Sequence, residues 1–249
     1  MNFLLVNDDG IESEGLHALA DALSDVGTVY VCAPDVQQSG MSHSISLVGS
    51  ITVKEWQVRN AVKAWRVTGT PADCTKMGLQ MCEKEGIKPD IVFSGVNKGS
   101  NLGVDTLYSG TVGAAMEAAL QGIHGVAVSV NSHGATHFEG ACKLAVQSID
   151  YVMTLPENIV VNINAPNVPI EEIKGIRYSR LGPNYYVDGF VLQENGEYVL
   201  EGYIPDYSYL PEDVDVGANY AKYATVTPLK FDITAYEYLD AVKDWNLKI

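Results

Sequence analysis

Residues 2–10 read Asn2-Phe3-Leu4-Leu5-Val6-Asn7-Asp8-Asp9-Gly10. Four consecutive apolar side chains fit a strand buried on both faces, the kind that belongs to a parallel sheet covered by helices. Two adjacent carboxylates follow at its carboxyl end, where open α/β sheets bind their ligands. Held a few ångströms apart, the pair repels, and one member would keep a proton unless a cation lay between them. The stretch therefore predicts a fold class and a metal together. Asn-Asp-Asp-Gly is also the composition of a plain polar turn, and the rest of the chain decides between the two.

Working outward, Leu16, Leu19, Ala20 and Leu23 repeat at helical spacing, and residues 28–33 form a second apolar run. Strand, helix and strand in so short a span make a βαβ unit. It ends in Pro34-Asp35 and a polar loop through Ser44 that is long for a simple connection. Residues 46–54 and 62–67 alternate as a β-ribbon. Thr70 and Pro71 then suit the N-cap and first turn of a helix running through residue 83. A short strand at 91–93 leads into a loop dense in glycine and amides, Ser94 to Gly103. A helix from about Ser109 to 121, a strand at 126–130, a helix at 137–153 and a strand at 159–163 complete the alternation. The pattern predicts α/β architecture: a Rossmann-like, doubly wound, mostly parallel sheet.

One domain over 1–249 is expected, with a core over about 1–175 and a C-terminal arm and tail over about 176–249. Of the 14 tyrosines, 11 lie beyond residue 175, and Asn195-Gly196 between two apolar triplets signals a β-hairpin. Such a tyrosine-rich ribbon serves either as an oligomerisation arm on a partner subunit or as a hairpin folded on its own domain.

Composition narrows the function classes. At 249 residues and 47% hydrophobic the chain can bury a large core, and its net charge of −15 opposes binding to nucleic acid polymers or anionic membranes. No apolar run reaches about 18 residues and no basic leader precedes the first strand. Cys32, Cys74, Cys82 and Cys142 form no CxxC pair and lie in or beside segments read as buried, so they predict reduced core thiols in a cytoplasmic protein.

Three loops converge by topology at the carboxyl edge of the sheet, bringing Asp8 and Asp9, Ser39, and Asn97. Two carboxylates, a hydroxyl and an amide oxygen suit magnesium, manganese or calcium rather than zinc or copper. Two carboxylates also cancel a divalent charge, so an anion needs its own cradle. Ser109-Gly110-Thr111-Val112-Gly113 at a helix start supplies backbone N–H groups and a favourable dipole, and Lys98 adds a point charge. Metal-assisted phosphate ester hydrolysis needs this pairing. Each part alone also fits a turn or an N-cap. His43 is a candidate proton donor to the leaving group, whereas Gly134 between His133 and His137 argues against a helical metal pair. A G-x-G-x-x-G fingerprint, a P-loop and a G-x-S-x-G elbow are all absent.

These motifs together, with Ala33-Pro34-Asp35, Gln38-Ser39-Gly40, Gly69-Thr70-Pro71-Ala72-Asp73-Cys74, Ser94 to Gly103, Leu107 to Ala115 and Val226-Thr227-Pro228-Leu229, resemble the SurE family of stationary-phase survival proteins over essentially the whole chain. The resemblance implies a metal-dependent phosphatase acting on nucleoside 5′- and 3′-monophosphates, in some members also on short polyphosphate. It assigns one divalent ion per subunit, Mg²⁺ or Mn²⁺, to Asp8, Asp9, Ser39 and Asn97. Asp8 and Asp9 are the catalytic candidates, working through a metal-activated water. Asn101, Ser109, Gly110, Thr111, Lys98 and His43 are the phosphate and substrate candidates. A homodimer or homotetramer built by exchanged arms is implied as well. Two departures stand out: Glu12-Ser13-Glu14 replaces the common His-Ala-Pro, and Val36 replaces a basic residue. The alternative from another class is a non-catalytic sensor of metal and nucleotide.

Overall fold

The computed structural model describes residues 1–247. β1 (Asn2–Val6) is central, with Phe3, Leu4, Leu5 and Val6 wholly buried; each such side chain contributes about 1.5–3 kcal/mol by leaving water. The chain continues through α1 (Glu14–Ser24), β2 (Thr28–Pro34), β3 (Val53–Trp56), β4 (Lys63–Val67), α2 (Pro71–Lys84) and β5 (Ile91–Lys98). It then forms α3 (Gly110–Leu120), β6 (His124–Asn131), α4 (Glu139–Val152) and β7 (Ile159–Pro166). The last stretch contributes β8 (Ile176–Tyr178), β9 (Val187–Leu192), β10 (Tyr198–Tyr203), α5 (Asp215–Tyr220), β11 (Ala224–Lys230) and α6 (Leu239–Lys243).

Nine strands form one sheet in the order β3-β4-β2-β1-β5-β6-β7-β11-β8. The pairs from β4 to β7 are parallel, and β3 and β11 run antiparallel to β4 and β7. One face is covered by α1 and α4 over Leu5, Val31, Phe93 and Val128, and the other by α2 and α3 over Leu4, Cys32, Trp65 and Val92. The architecture is the expected doubly wound α/β sheet. Strand order reverses at β1, which has β2 on one side and β5 on the other, so Asp8 and Asp9 leave the sheet at its topological switch point.

Local chemistry explains the element starts. Ser13 caps α1, accepting from the Leu16 N–H at 3.4 Å, and Glu14 in the first turn favours the helix dipole. Thr70 and Asp73 form a reciprocal capping box at α2, with bonds of 3.1 and 3.0 Å, and Pro71 sits in the first turn. All four cysteines are buried and unbonded. None of the described helices is long and apolar enough to cross a membrane.

Two elements differ from expectation, and a third was not foreseen. The ribbon at 46–54 begins only at Val53, because Ser46 and Thr52 give their N–H groups to Asp73 and Thr68 side chains, and Leu47 and Val48 pack on nothing. The strand at 91–93 extends to Lys98, since Asn97 and Lys98 rejoin β6 beyond a register shift. Gly95, which reads as a loop signal, is the residue that permits this: its φ is +137° and a Cβ there would lie 2.2 Å from the Val128 carbonyl oxygen. β11 carries Pro228, a residue that ordinarily argues against an interior strand. β8 pairs only with Ala224–Val226, so beyond that point β11 is an edge where a missing N–H costs little.

Strands β8 and β11 and helix α5, all from beyond residue 175, are built onto the main sheet. The β9–β10 hairpin forms a separate two-stranded sheet in which every residue is exposed. Its cross-strand pairs Phe190–Leu200 and Leu192–Tyr198 share one face and Val191–Val199 the other, so apolar side chains line both sides.

Candidate active site

Asp8 begins the turn after β1, 4% exposed, against the N-terminus of α3. The Thr111 hydroxyl donates to its Oδ1 at 2.7 Å, and a Cβ added at Gly110 would lie 3.1 Å from its Oδ2. A larger residue at Gly110 would crowd the carboxylate and Pro71, whose Cγ would also lie 3.1 Å from such a Cβ. Burial pushes the Asp8 carboxyl up to about 6, the Thr111 hydrogen bond opposes that, and the charge on Asp9 adds to it. Asp9 is also raised by burial, against the pull of the Lys98 N–H, which donates to its Oδ2 at 2.9 Å, and of the Lys98 and His133 charges. Asn7 shapes the turn, its amide donating to the Gly10 carbonyl and the Ser13 hydroxyl at 2.8 and 2.7 Å.

Gln37 joins the loop after β2 to this turn. Its amide donates to Ser39 Oγ at 2.9 Å and, at a longer 3.4 Å, to Asp9 Oδ1, while the Gln38 N–H donates to the Asp8 carbonyl at 2.7 Å. Asn97, next to the Lys98 that binds Asp9, donates its Nδ2 to the Gly99 carbonyl at 2.8 Å, which fixes the amide and leaves its Oδ1 uncommitted. The structure therefore gathers Asp8, Asp9, Ser39 and Asn97 at one rim, from the ends of β1, β2 and β5, with Gly110 and Thr111 beside Asp8.

The remaining candidates are placed differently. Ser109 caps α3 by accepting from the Val112 N–H at 3.0 Å. Asn101 is buried, giving its N–H to Asn164 and its Nδ2 to Ser129 and accepting the amides of Asn162 and Asn164 at its carbonyl, which anchors the loop. The Lys98 ammonium turns away to Glu14, 2.7 Å distant, over the Phe138 ring. Glu14 is one of the departing residues, and the pair draws the lysine charge toward α1. His43 lies against Glu117, Nε2 to Oε2 2.8 Å, rather than toward the carboxylates. Gln37 escaped the sequence reading, and His133 enters it only as half of a metal pair with His137. A glutamine two residues before Ser39 was the available signal for the first, whereas His133 comes near only because the β6 loop folds beside Gly99.

The donor chemistry fits a hard divalent cation. Two carboxylates in a place that burial makes costly for negative charge need a positive partner, and the loops after β2 and β5 add the hydroxyl of Ser39 and the amide of Asn97. Among the described residues no three His, Cys, Asp or Glu side chains cluster to hold a metal. A cation here would depend on the hydroxyl and amide as well, a donor set foreign to zinc.

The chain has relatives among known proteins along essentially its whole length. The family model described as "Survival protein SurE" matches residues 3–188. The 5′-nucleotidase SurE of Desulfatibacillum aliphaticivorans is 39% identical, covering 100% of this chain and 99% of its own. That of Desulforudis audaxviator is 40% identical over 98% and 97%. The crystal structure of the SurE protein from Aquifex aeolicus superposes with a TM-score of 0.84 at 36% identity, covering 98% of each chain.

Proposed function

The chain belongs to the SurE family, and on that premise we propose that it is a metal-dependent nucleotidase releasing phosphate from nucleoside 5′-monophosphates, and from 3′-monophosphates as a second substrate class. The reading is supported by one arrangement: buried Asp8 and half-buried Asp9 close the turn at the switch point of the sheet, beside the N-terminus of α3, with Ser39 linked to Asp9 through Gln37 and Asn97 adjoining the Lys98 whose N–H donates to Asp9. Relatives named as 5′-nucleotidases support the substrate class.

Asp8, Asp9, Ser39 and Asn97 would hold one Mg²⁺ or Mn²⁺. When bound, such an ion polarises a phosphoryl oxygen and makes a nearby water acidic enough to attack. The chain's own groups do the rest. Thr111 and the Lys98 N–H hold the two carboxylates in fixed rotamers, so little reorganisation accompanies the reaction. Gln37 sets Ser39 relative to Asp9. The first turn of α3 offers backbone N–H groups and the positive end of its dipole to the phosphate. Asp9, half-buried and with its carboxyl raised by burial, would accept the proton of the water.

Incubation with AMP and Mn²⁺, with and without EDTA, tests the reading. Phosphate release that EDTA abolishes is expected, with 3′-AMP and short polyphosphate as parallel substrates. Release that survives EDTA would point to a covalent phosphatase, and tight binding without release to a sensor.

The arm belongs to the same proposal. A two-stranded hairpin is marginal alone in water, and this one bares apolar side chains on both faces, Phe190 being 72% exposed. It would be covered by a partner subunit in a homodimer or homotetramer. Light scattering at micromolar concentration is expected to report a multiple of 26.9 kDa, and a strict monomer would end the arm reading. Four unpaired, buried thiols support a reducing, cytoplasmic setting.

A further inference from the structure

The segment from Asp35 to Thr52 carries Ser39 but contains neither helix nor strand. Something other than a ladder must hold it. Its backbone is pressed onto α3 at Gly113, where an added Cβ would lie 2.4 Å from the Ser42 carbonyl oxygen and 2.9 Å from the His43 Cα. The Ser42 N–H donates to the Tyr108 carbonyl at 2.9 Å, and the Thr70 hydroxyl donates to the Ser44 carbonyl at 2.7 Å.

Beyond these backbone contacts there is a buried charge. Glu117 lies on α3, two turns from the Ser109 cap, with its side chain 4% exposed. His43 Nε2 meets its Oε2 at 2.8 Å, and Lys76 Nζ and Gln121 Nε2 donate to its Oε1 at 2.9 and 2.8 Å. Burial pushes the Glu117 carboxyl up, but the bonds from His43, Lys76 and Gln121 outweigh it and hold the group at about 2. An ionised carboxylate in the interior is costly unless its partners are fixed. Lys76 comes from α2 and Gln121 caps the end of α3, while His43 comes from the irregular segment, so the arrangement constrains the segment most.

We infer that Glu117 is a positioning residue, which through His43 latches the Ser39 segment onto the helix whose N-terminus faces Asp8. The inference rests on the assignment of Ser39 to the cation in the proposed function. Glu117 touches no part of the proposed reaction. It acts by fixing where one donor stands relative to the other three, so that the set is assembled before the ion arrives.

Hydrogen–deuterium exchange over residues 37–46 tests the latch, in Glu117→Gln and independently in His43→Ala. The first keeps the volume of α3 and leaves Lys76 able to hydrate; the second leaves the core untouched. Loss of one hydrogen bond to a charged group is expected to speed exchange of the segment roughly tenfold in both. Direct titration with Mn²⁺ is expected to show weaker binding by roughly three- to tenfold. In Glu117→Gln, the Mn²⁺ concentration for half-maximal phosphate release should rise while kcat at saturating Mn²⁺ stays within about threefold of wild type. A merely structural residue would lower kcat through loss of folded protein instead of moving the metal requirement. Unchanged exchange in both variants would overturn the inference, and so would faster exchange with Mn²⁺ affinity equal to wild type. Absence of phosphate release by the wild-type protein would sink the nucleotidase reading alone, since exchange does not depend on turnover.

Discussion

Asp8→Asn is expected to cut phosphate release from AMP about 10²–10³-fold, while making the metal-free protein more stable near neutral pH. The two effects share a cause. Asp8 is buried, with its carboxyl pushed up to about 6 by that burial and by Asp9. In the unfolded chain it returns to its ordinary value of 3.8. For an acid raised on folding, the folded state binds the proton more tightly. Metal-free stability should therefore rise as pH falls through 6 and level off near 4, and above 6 the fold carries the full penalty. The gap is worth about 3 kcal/mol.

Asparagine has no charge to bury, and its Oδ1 still accepts the Thr111 hydroxyl. The variant should gain several degrees in Tm at pH 8 without metal, at about 2–4 °C per kcal/mol, and lose the rise in Tm that Mn²⁺ gives the wild type. Its Tm should be flatter between pH 8 and 5. Glu117 acts in a separate window: held at about 2, it contributes stability present above its ordinary range and lost as pH falls toward 2. Scanning calorimetry with EDTA or Mn²⁺ across pH measures all of this. A metal-free Asp8→Asn protein no more stable than wild type at pH 8 would show that the carboxylate pair is not under charge strain, and near-normal turnover would remove Asp8 from the reaction.

What the sequence disclosed and what it hid divide along a physical line. Four apolar residues before Asp8 specify a buried strand because the signal is local, and Thr70-Pro71-Ala72-Asp73 specifies a helix start because a capping box spans four residues. The convergence of Asp8, Ser39 and Asn97 was legible through topology, since parallel strands deliver their carboxyl ends to one edge. Side-chain direction was not. Lys98 and His43 stand in the stretches where sequence set them, yet their side-chain ends turn to Glu14 and Glu117, partners 84 and 74 residues distant. No window of sequence contains such pairs. Gly95 misled for a related reason: it is a breaker by local rule, and it is accommodated by the neighbouring strand β6, visible only in the assembled sheet.

The same limit hid Asp215, whose loss is expected to have the largest effect on folding. It opens α5, wholly buried, and its carboxylate accepts three backbone N–H groups: Gly103 at 2.8 Å, and Gly182 and Val216 at 2.7 Å. Gly103 closes the loop that begins near Asn97, and Gly182 belongs to the C-terminal region. One side chain thus fastens the site loop to the later part of the chain, over a cluster of Leu102, Tyr185, Tyr207, Val214 and Val216. The join is tight, for a Cβ at Gly103 would lie 1.8 Å from the Pro183 carbonyl oxygen. Burial raises the Asp215 carboxyl, and the three N–H groups counter it. Asp215→Ala leaves these donors facing apolar surroundings at about 1–3 kcal/mol each. The expected loss is about 3–5 kcal/mol, read as a lower urea midpoint with an unchanged slope. Asp215→Asn should fall between, because its carbonyl can replace Oδ1 toward Gly182 and Val216 while its NH₂ meets the Gly103 N–H donor to donor. Faster exchange at residues 99–105 should accompany both. An alanine variant within about 1 kcal/mol of wild type would mean that the loop is held by the apolar cluster alone.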